Sequence, residues 1–260
     1  MSLLSRAKQF ATSSMARLWR RRQAPALPKA VENPQLHRPA YADRHQGATF
    51  LVFGTGPSLR EQAAKIHAFI EREQPITIGP NTIAEFIHPH YHVFTSRHRL
   101  LDYGHTFDAA KSKLLVSPTI PLHFIRQVHA GDFEVLMYRD DNEADFDILD
   151  GVIQASCKSA AIVSIGAAIV MGARRIVVAG LDGFGSLARS GQRLHYNAAS
   201  EPKHLPGTAA YLEHYETAHR YHVRFLRQIH EYMAARGLEP FTIITPTEFE
   251  EYYQDGYLDR

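Results

Sequence analysis

The residues best suited to chemistry in this chain begin with Gly54, Thr55, Gly56, Pro57 and Ser58, in the stretch Thr49-Phe-Leu-Val-Phe-Gly-Thr-Gly-Pro-Ser-Leu-Arg-Glu61. An apolar run breaks there into a glycine turn and then opens a helix. That arrangement can present a helix N-terminus to a phosphate. Gly54 and Gly56 would permit positive φ and close approach of a ligand to the backbone. Ser58 and Glu61 also have the spacing of a capping box, so a plain strand–turn–helix corner explains the same residues without a ligand. A dinucleotide fingerprint would add a third glycine near Leu59 and an acidic residue closing the next strand, and neither is present.

A second constellation is Asp182, which follows the apolar run 175–179 between Gly180 and Gly183. A carboxylate just past the end of a strand can hold a ribose hydroxyl, a metal or a substrate amine, or it can close a turn on its own backbone. The third is rich in histidine: Leu194-His-Tyr-Asn197, then Glu201, His204, His214, His219 and His222. A histidine near its ordinary pKa is a suitable base for taking a proton from a hydroxyl. Leu212, Tyr215, His219, His222, Leu226, Ile229 and Met233 also fall at helical spacing, so His219 has a second reading as a packed residue on a buried stripe.

Three further clusters have chemical potential but incomplete patterns. Asp140-Asp-Asn-Glu-Ala-Asp-Phe-Asp147 lacks the glycine and terminal glutamate of a calcium loop and reads as a solvated loop. His88-Pro-His-Tyr-His92 alternates histidines, yet no carboxylate or cysteine completes a zinc set nearby. Arg97 and Arg99 would rim a cleft and face an anionic substrate. Thr245-Pro-Thr-Glu248 has the form of a second capping box, predicting a short closing helix near 246–253.

These residues need a scaffold that gathers loops. Apolar runs predict strands near 49–53, 75–79, 91–95, 113–117, 133–138, 175–179 and 240–244, with helices near 59–73, 158–172 and 208–236. The alternation predicts an α/β class: a single Rossmann-like domain with a mostly parallel sheet flanked by helices. The chain has 260 residues, 45% of them hydrophobic and 22% charged, which suits one soluble domain with a well-buried core. Its one cysteine, Cys157, excludes an internal disulfide and suits a reducing, cytoplasmic setting.

The net charge of +2 conceals an asymmetry. Arg6, Lys8, Arg17, Arg20, Arg21 and Arg22 lie in a segment without acids, interspersed with Leu3, Leu4, Phe10, Leu18 and Trp19. Residues 1–22 thus read either as a basic amphipathic tail that lies on an anionic membrane surface at the inner face or as a solvated basic tail. Residues 23–47, with four prolines, read as a linker, and 48–260 as the nucleotide-binding catalytic domain. No run approaches the roughly 18 apolar residues of a membrane span. The body has no basic stripe interleaved with aromatics, so no nucleic-acid partner is expected.

Taken together, Gly54-Thr-Gly-Pro-Ser-Leu59, Asn81 after the second strand, and Met171-Gly-Ala-Arg-Arg-Ile-Val-Val-Ala-Gly-Leu-Asp182 resemble a Rossmann-like group. That group contains bacterial CMP-sialic-acid-dependent sialyltransferases and 6-hydroxymethylpterin pyrophosphokinase-like proteins. The resemblance implies a glycosyltransferase of polysaccharide biosynthesis, passing a CMP-linked acidic sugar to a glycan or glycolipid acceptor. It assigns donor binding to Gly54, Thr55, Gly56, Pro57, Ser58 and Asn81, with Ser159 at the small-residue helix and Asp182 and Tyr196 shaping the donor pocket. The acceptor's base would be His219 or His214. Thr55 stands where the sialyltransferases have asparagine, and Asp182-Gly-Phe184 lacks their tyrosine, for which Tyr196 would substitute. No cofactor is required in that scheme. The pyrophosphokinase alternative would use ATP and Mg2+ held by Asp182, and a third alternative is a nucleotide-binding module without catalysis.

Overall fold

A computed structural model describes residues 36–185, 189 and 208–260, all within a compact unit that runs from Pro34 to Arg260. Tyr196, His195, His204 and Glu201 lie outside the described residues, as does the basic tail 1–22.

The first strand, β1 (Thr49–Phe53), leads into a four-residue helix α1 (Ser58–Glu61) and, after a break at Gln62, helix α2 (Ala63–Glu73). The continuous helix expected over 59–73 is therefore two pieces. Strands β2 (Ile76–Pro80) and β3 (Tyr91–Phe94) follow, then helix α3 (Arg97–Tyr103), strand β4 (Lys113–Val116), helix α4 (Leu122–Val128) and the short β5 (Glu134–Val135). A hairpin of β6 (Ile148–Leu149) and β7 (Val152–Ile153) turns on Asp150-Gly151, both at positive φ, as a tight hairpin of this type demands. Helix α5 (Ala160–Val170), strand β8 (Arg175–Ala179), the long helix α6 (Ala209–Ala235) and β9 (Thr242–Ile243) complete the order.

Seven strands form one sheet in the order β5-β4-β3-β2-β1-β8-β9, and every pair is parallel. A parallel sheet must be covered on both faces, and the side chains of β1 show how. Phe50 and Val52 join the cluster under α5 and α6 with Ile162, Ile165, Phe225 and Ile229. Leu51 and Phe53 point the other way, to Leu59, Ile66 and Phe69 of α1 and α2. The small residues of α5 let it lie close: a Cβ on Gly166 would stand 2.9 Å from Ile153.

Residues 36–47, expected in the linker, pack onto the amino ends of the strands. Tyr41 is buried and its hydroxyl accepts the Met137 N–H at 2.9 Å. Arg44 donates twice to Glu134, at 2.9 and 2.7 Å, and His45 meets the Tyr91 hydroxyl at 2.7 Å. The segment is too well bonded to behave as a spacer. The closing helix expected near 246–253 is only a 3₁₀ turn at Glu250–Tyr252.

Candidate functional site at the carboxyl ends of the strands

The chain steps outward from β1 to β5, then returns to place β8 on the other side of β1. The carboxyl ends of β1 and β8 thus mark the topological switch point, where ligands of open parallel sheets bind. The glycine loop leaves β1 there and Asp182 leaves β8 there. The two loops are sewn together by Gly54 N–H to Ala179 C=O at 2.7 Å and Gly56 N–H to Gly180 C=O at 2.8 Å.

Neither Gly54 nor Gly56 has positive φ, contrary to expectation. Their small size is needed for close packing instead. A Cβ on Gly54 would lie 2.1 Å from the Gly180 oxygen, and one on Gly56 would lie 2.3–2.6 Å from the Asp182 carboxyl group. What Gly56 admits is a side chain of the same protein.

Ser58 is not an N-cap. Pro57 holds that position without a side-chain bond, and Ser58 donates both its N–H, at 2.8 Å, and its hydroxyl to Asp182. Thr245 lies behind it: its Oγ1 accepts the Gly180 N–H at 2.9 Å and is 3.0 Å from the Ser58 Oγ. The Ser58 hydroxyl proton is thus shared between the Asp182 carboxylate and the Thr245 Oγ1. Both expected capping boxes therefore dissolve, Ser58 with Glu61 and Thr245 with Glu248, into a chain of bonds ending on Asp182. The N–H groups of Gly54, Gly56 and Ser58 are all engaged by protein acceptors, so the anion at this short helix is the Asp182 carboxylate. Burial pushes the Asp182 pKa up to about 6 against the Ser58 bonds, with the charges of Glu61 and Glu248 adding to the rise.

On the other side of β1, Asn81 follows β2 in the left-handed conformation, φ 54°, which asparagine tolerates better than most residues. Its carbonyl accepts the His92 Nε2–H at 2.7 Å, and burial lowers the His92 pKa to about 4, so that ring is neutral. The Asn81 Oδ1 is buried without a hydrogen-bond partner among the described residues. A buried acceptor left unmade costs about 1–3 kcal/mol. Two strand spacings, about 10 Å, separate the β2 and β8 ends from which Asn81 and Asp182 follow.

Ser159 caps α5, its Oγ accepting the Ile162 N–H at 3.4 Å, after two residues, Cys157 and Lys158, in the left-handed region. The Cys157 thiol is fully buried and its pKa strongly raised by burial, which leaves it inert as a nucleophile. Thr55 and Pro57 complete the β1–α1 loop.

Helix α6 brings His219 to the same end of the sheet. Its Nδ1 is 3.3 Å from the Phe184 N–H and 3.5 Å from the Glu248 carboxylate, and its ring stacks on Phe249 at 5.1 Å and 11°. Burial lowers its pKa, Glu248 opposes that shift, and Arg189 adds to it. His222, one turn on, is fully buried against Phe184 and Phe249, with its pKa lowered to about 3 by burial. His214 makes an edge contact with Tyr215 at 5.0 Å. Glu248 is the member that the sequence pattern concealed: its N–H donates to the Asp182 carbonyl at 2.9 Å and its Oε2 accepts the Gly185 N–H at 2.8 Å.

Several members of the remaining clusters have partners of their own. His90 Nδ1 accepts the Thr77 N–H at 3.0 Å, Arg97 stacks on Phe124 and Arg99 on Tyr103. In the acidic loop, Asp145 pairs with Arg224 at 3.0 Å while Asp141 accepts the N–H groups of Glu143 and Ala144. Among the described residues no group of three His, Cys, Asp or Glu side chains is placed to hold a metal ion, and no helix is long and apolar enough to cross a membrane.

No protein-family model matches the chain, and no curated protein matches it. Among solved structures it is similar to the MAf glycosyltransferase from Magnetospirillum magneticum AMB-1, with 18% identity and a TM-score of 0.43. The likeness covers 65% of this chain and 26% of that one, so the present chain matches about a quarter of its neighbour's length.

Proposed function

We infer that this protein is a nucleotide-dependent glycosyltransferase whose donor, a CMP-linked acidic sugar, binds across β1 between Asn81 and Asp182. The observation that carries the reading is the Asn81 Oδ1, desolvated and without a partner among the described residues at the end of the strand next to the switch point, where a nucleotide N–H or O–H would satisfy it. Asp182 is ionised above pH 6, and its oxygens retain lone pairs beyond those used by Ser58, enough to accept a ribose hydroxyl. Since the N–H groups of Gly54, Gly56 and Ser58 have protein acceptors, this reading puts the donor's phosphate at the first turn of α5 beside Ser159, where the helix dipole favours negative charge. His219 takes the acceptor proton. The acceptor is a glycan or glycolipid, reached at an anionic membrane surface through residues 1–22.

The test is a thermal-shift panel of CMP, CDP, UDP, GDP and ATP with and without magnesium, since a ligand of the folded state raises apparent stability. CMP or CDP should stabilise the protein without metal. Asn81→Gly, which keeps the left-handed backbone and removes the Oδ1, should lose that shift while its ligand-free melting temperature stays close to the parent's. A shift by ATP only with magnesium would favour pyrophosphoryl transfer instead, and an undiminished CMP shift in folded Asn81→Gly would remove the proposed site.

A further inference from the structure

We propose that Glu248 is a positioning residue that makes His219 a base by holding a proton on its Nδ1. The catalytic part of this statement rests on the function proposed above; the tautomer does not.

Glu248 is fixed before it meets the histidine. Its main chain is tied to Asp182 and its carboxylate to the Gly185 N–H, while Phe249, the next residue, stacks on the His219 ring. Gly183 makes room for it. That residue has φ 94°, and a Cβ there would stand 2.9–3.1 Å from the Glu248 side chain. The carboxylate is thereby held 3.5 Å from Nδ1, on the opposite demand to the Phe184 N–H at 3.3 Å. The amide requires a bare Nδ1, whereas the carboxylate requires Nδ1–H. The Phe184 N–H donates to Nδ1 across a separation just beyond the usual range of about 2.7–3.2 Å, so this neutral bond is long, and the carboxylate waits on the same nitrogen. A charge-assisted bond is roughly twice as strong as a neutral one, which favours Glu248.

The consequence is chemical. With the proton on Nδ1, the Nε2 lone pair is available. It takes the proton of the acceptor hydroxyl, the oxygen's electron pair forms the new bond to the anomeric carbon, and the bond from that carbon to the nucleotide's phosphate oxygen breaks with its electrons leaving on the phosphate. The imidazolium that results is stabilised by the same carboxylate. The other charges and titratable groups around His219 are Arg189, which pairs with Glu216 at 3.4 Å, the buried neutral His222, and Asp182 beyond Glu248.

Nitrogen-15 NMR of the full chain labelled at histidine, with His219→Gln used for assignment, tests the pairing without any substrate. In the parent, neutral His219 should carry its proton on Nδ1. Glu248→Gln keeps a carbonyl for the Gly185 N–H but loses the charge, so the proton should move to Nε2 and the His219 titration to lower pH. A parent His219 protonated on Nε2 would overturn the proposal whether or not the variant folds, as would a titration unchanged in folded Glu248→Gln. The nucleotide panel reads out the donor site separately, so failure of one does not mimic failure of the other.

Discussion

Replacing Asp182 by asparagine should raise the stability of the protein at pH 7.5 while weakening nucleotide binding. The carboxyl pKa rises from 3.8 to about 6 on folding, so between those values the native state binds more protons than the unfolded chain. Stability from this group is fully present below about pH 4, falls as pH rises, and is lost above about pH 6. Two pKa units correspond to about 3 kcal/mol. Asp182 is only partly buried, and solvent access reduces the figure by roughly half, to about 1.5 kcal/mol. For a domain of this size that is roughly 3–6 °C in melting temperature.

The hydrogen bonds survive the exchange. The asparagine oxygen accepts the Ser58 N–H, its amide donates to the Ser58 Oγ, and the Ser58 proton goes wholly to Thr245, to which it already donates. Differential scanning fluorimetry of parent and variant from pH 4 to 8 checks this. The difference between them removes the slopes of all other titrating groups. It should be near zero or negative at pH 4 and climb to a plateau in the variant's favour above pH 6. A difference that is flat with pH, or a variant less stable at pH 7.5, would refute the view of Asp182 as a carboxylate ionised at a cost in stability.

Gly56→Ala should destabilise the fold by about 2 kcal/mol or more and abolish the pH-dependent difference just described, because the new methyl takes the space of the Asp182 carboxyl; urea titration of the parent and Gly56→Ala at pH 5 and pH 7.5 would show it. His222→Leu should flatten the acid limb of the stability profile. The His222 pKa is lowered to about 3, so its contribution is present above the unfolded value near 6.5 and is lost as pH falls through 3; an acid unfolding curve unchanged by the substitution would count against its burial as a neutral ring.

Much of the scaffold is legible in the sequence. Runs such as Thr49–Phe53 and Arg175–Ala179 are apolar on both faces, which only a doubly covered strand requires, and the stripe Tyr215, His222, Leu226, Ile229 and Met233 follows the helical period because that face of α6 is buried. These patterns are local. Each element's own residues carry them, since near neighbours set backbone preference and burial sets polarity. Helices α3 and α4 escaped because they are two turns long and bury only pairs, Leu100 with Tyr103 and Phe124 with Ile125, too few to mark a period.

The site is another matter. Ser58 with Glu61, and Thr245 with Glu248, each satisfied a local rule for capping, yet Ser58 binds Asp182 at a separation of 124 residues and Thr245 lies 187 residues from Ser58. A capping box competes only with partners in its own turn, whereas the parallel register of β8 beside β1 and β9 beside β8 delivers a carboxylate and a hydroxyl to the same spot. Strand order likewise created the switch point, and beside it Asn81 stands with a left-handed backbone and a side-chain oxygen unpaired among the described residues. The residue types that could do chemistry were set by the sequence; their partners were decided by which loops the sheet brought together, because a hydrogen bond depends on distance in space and a motif records only distance along the chain.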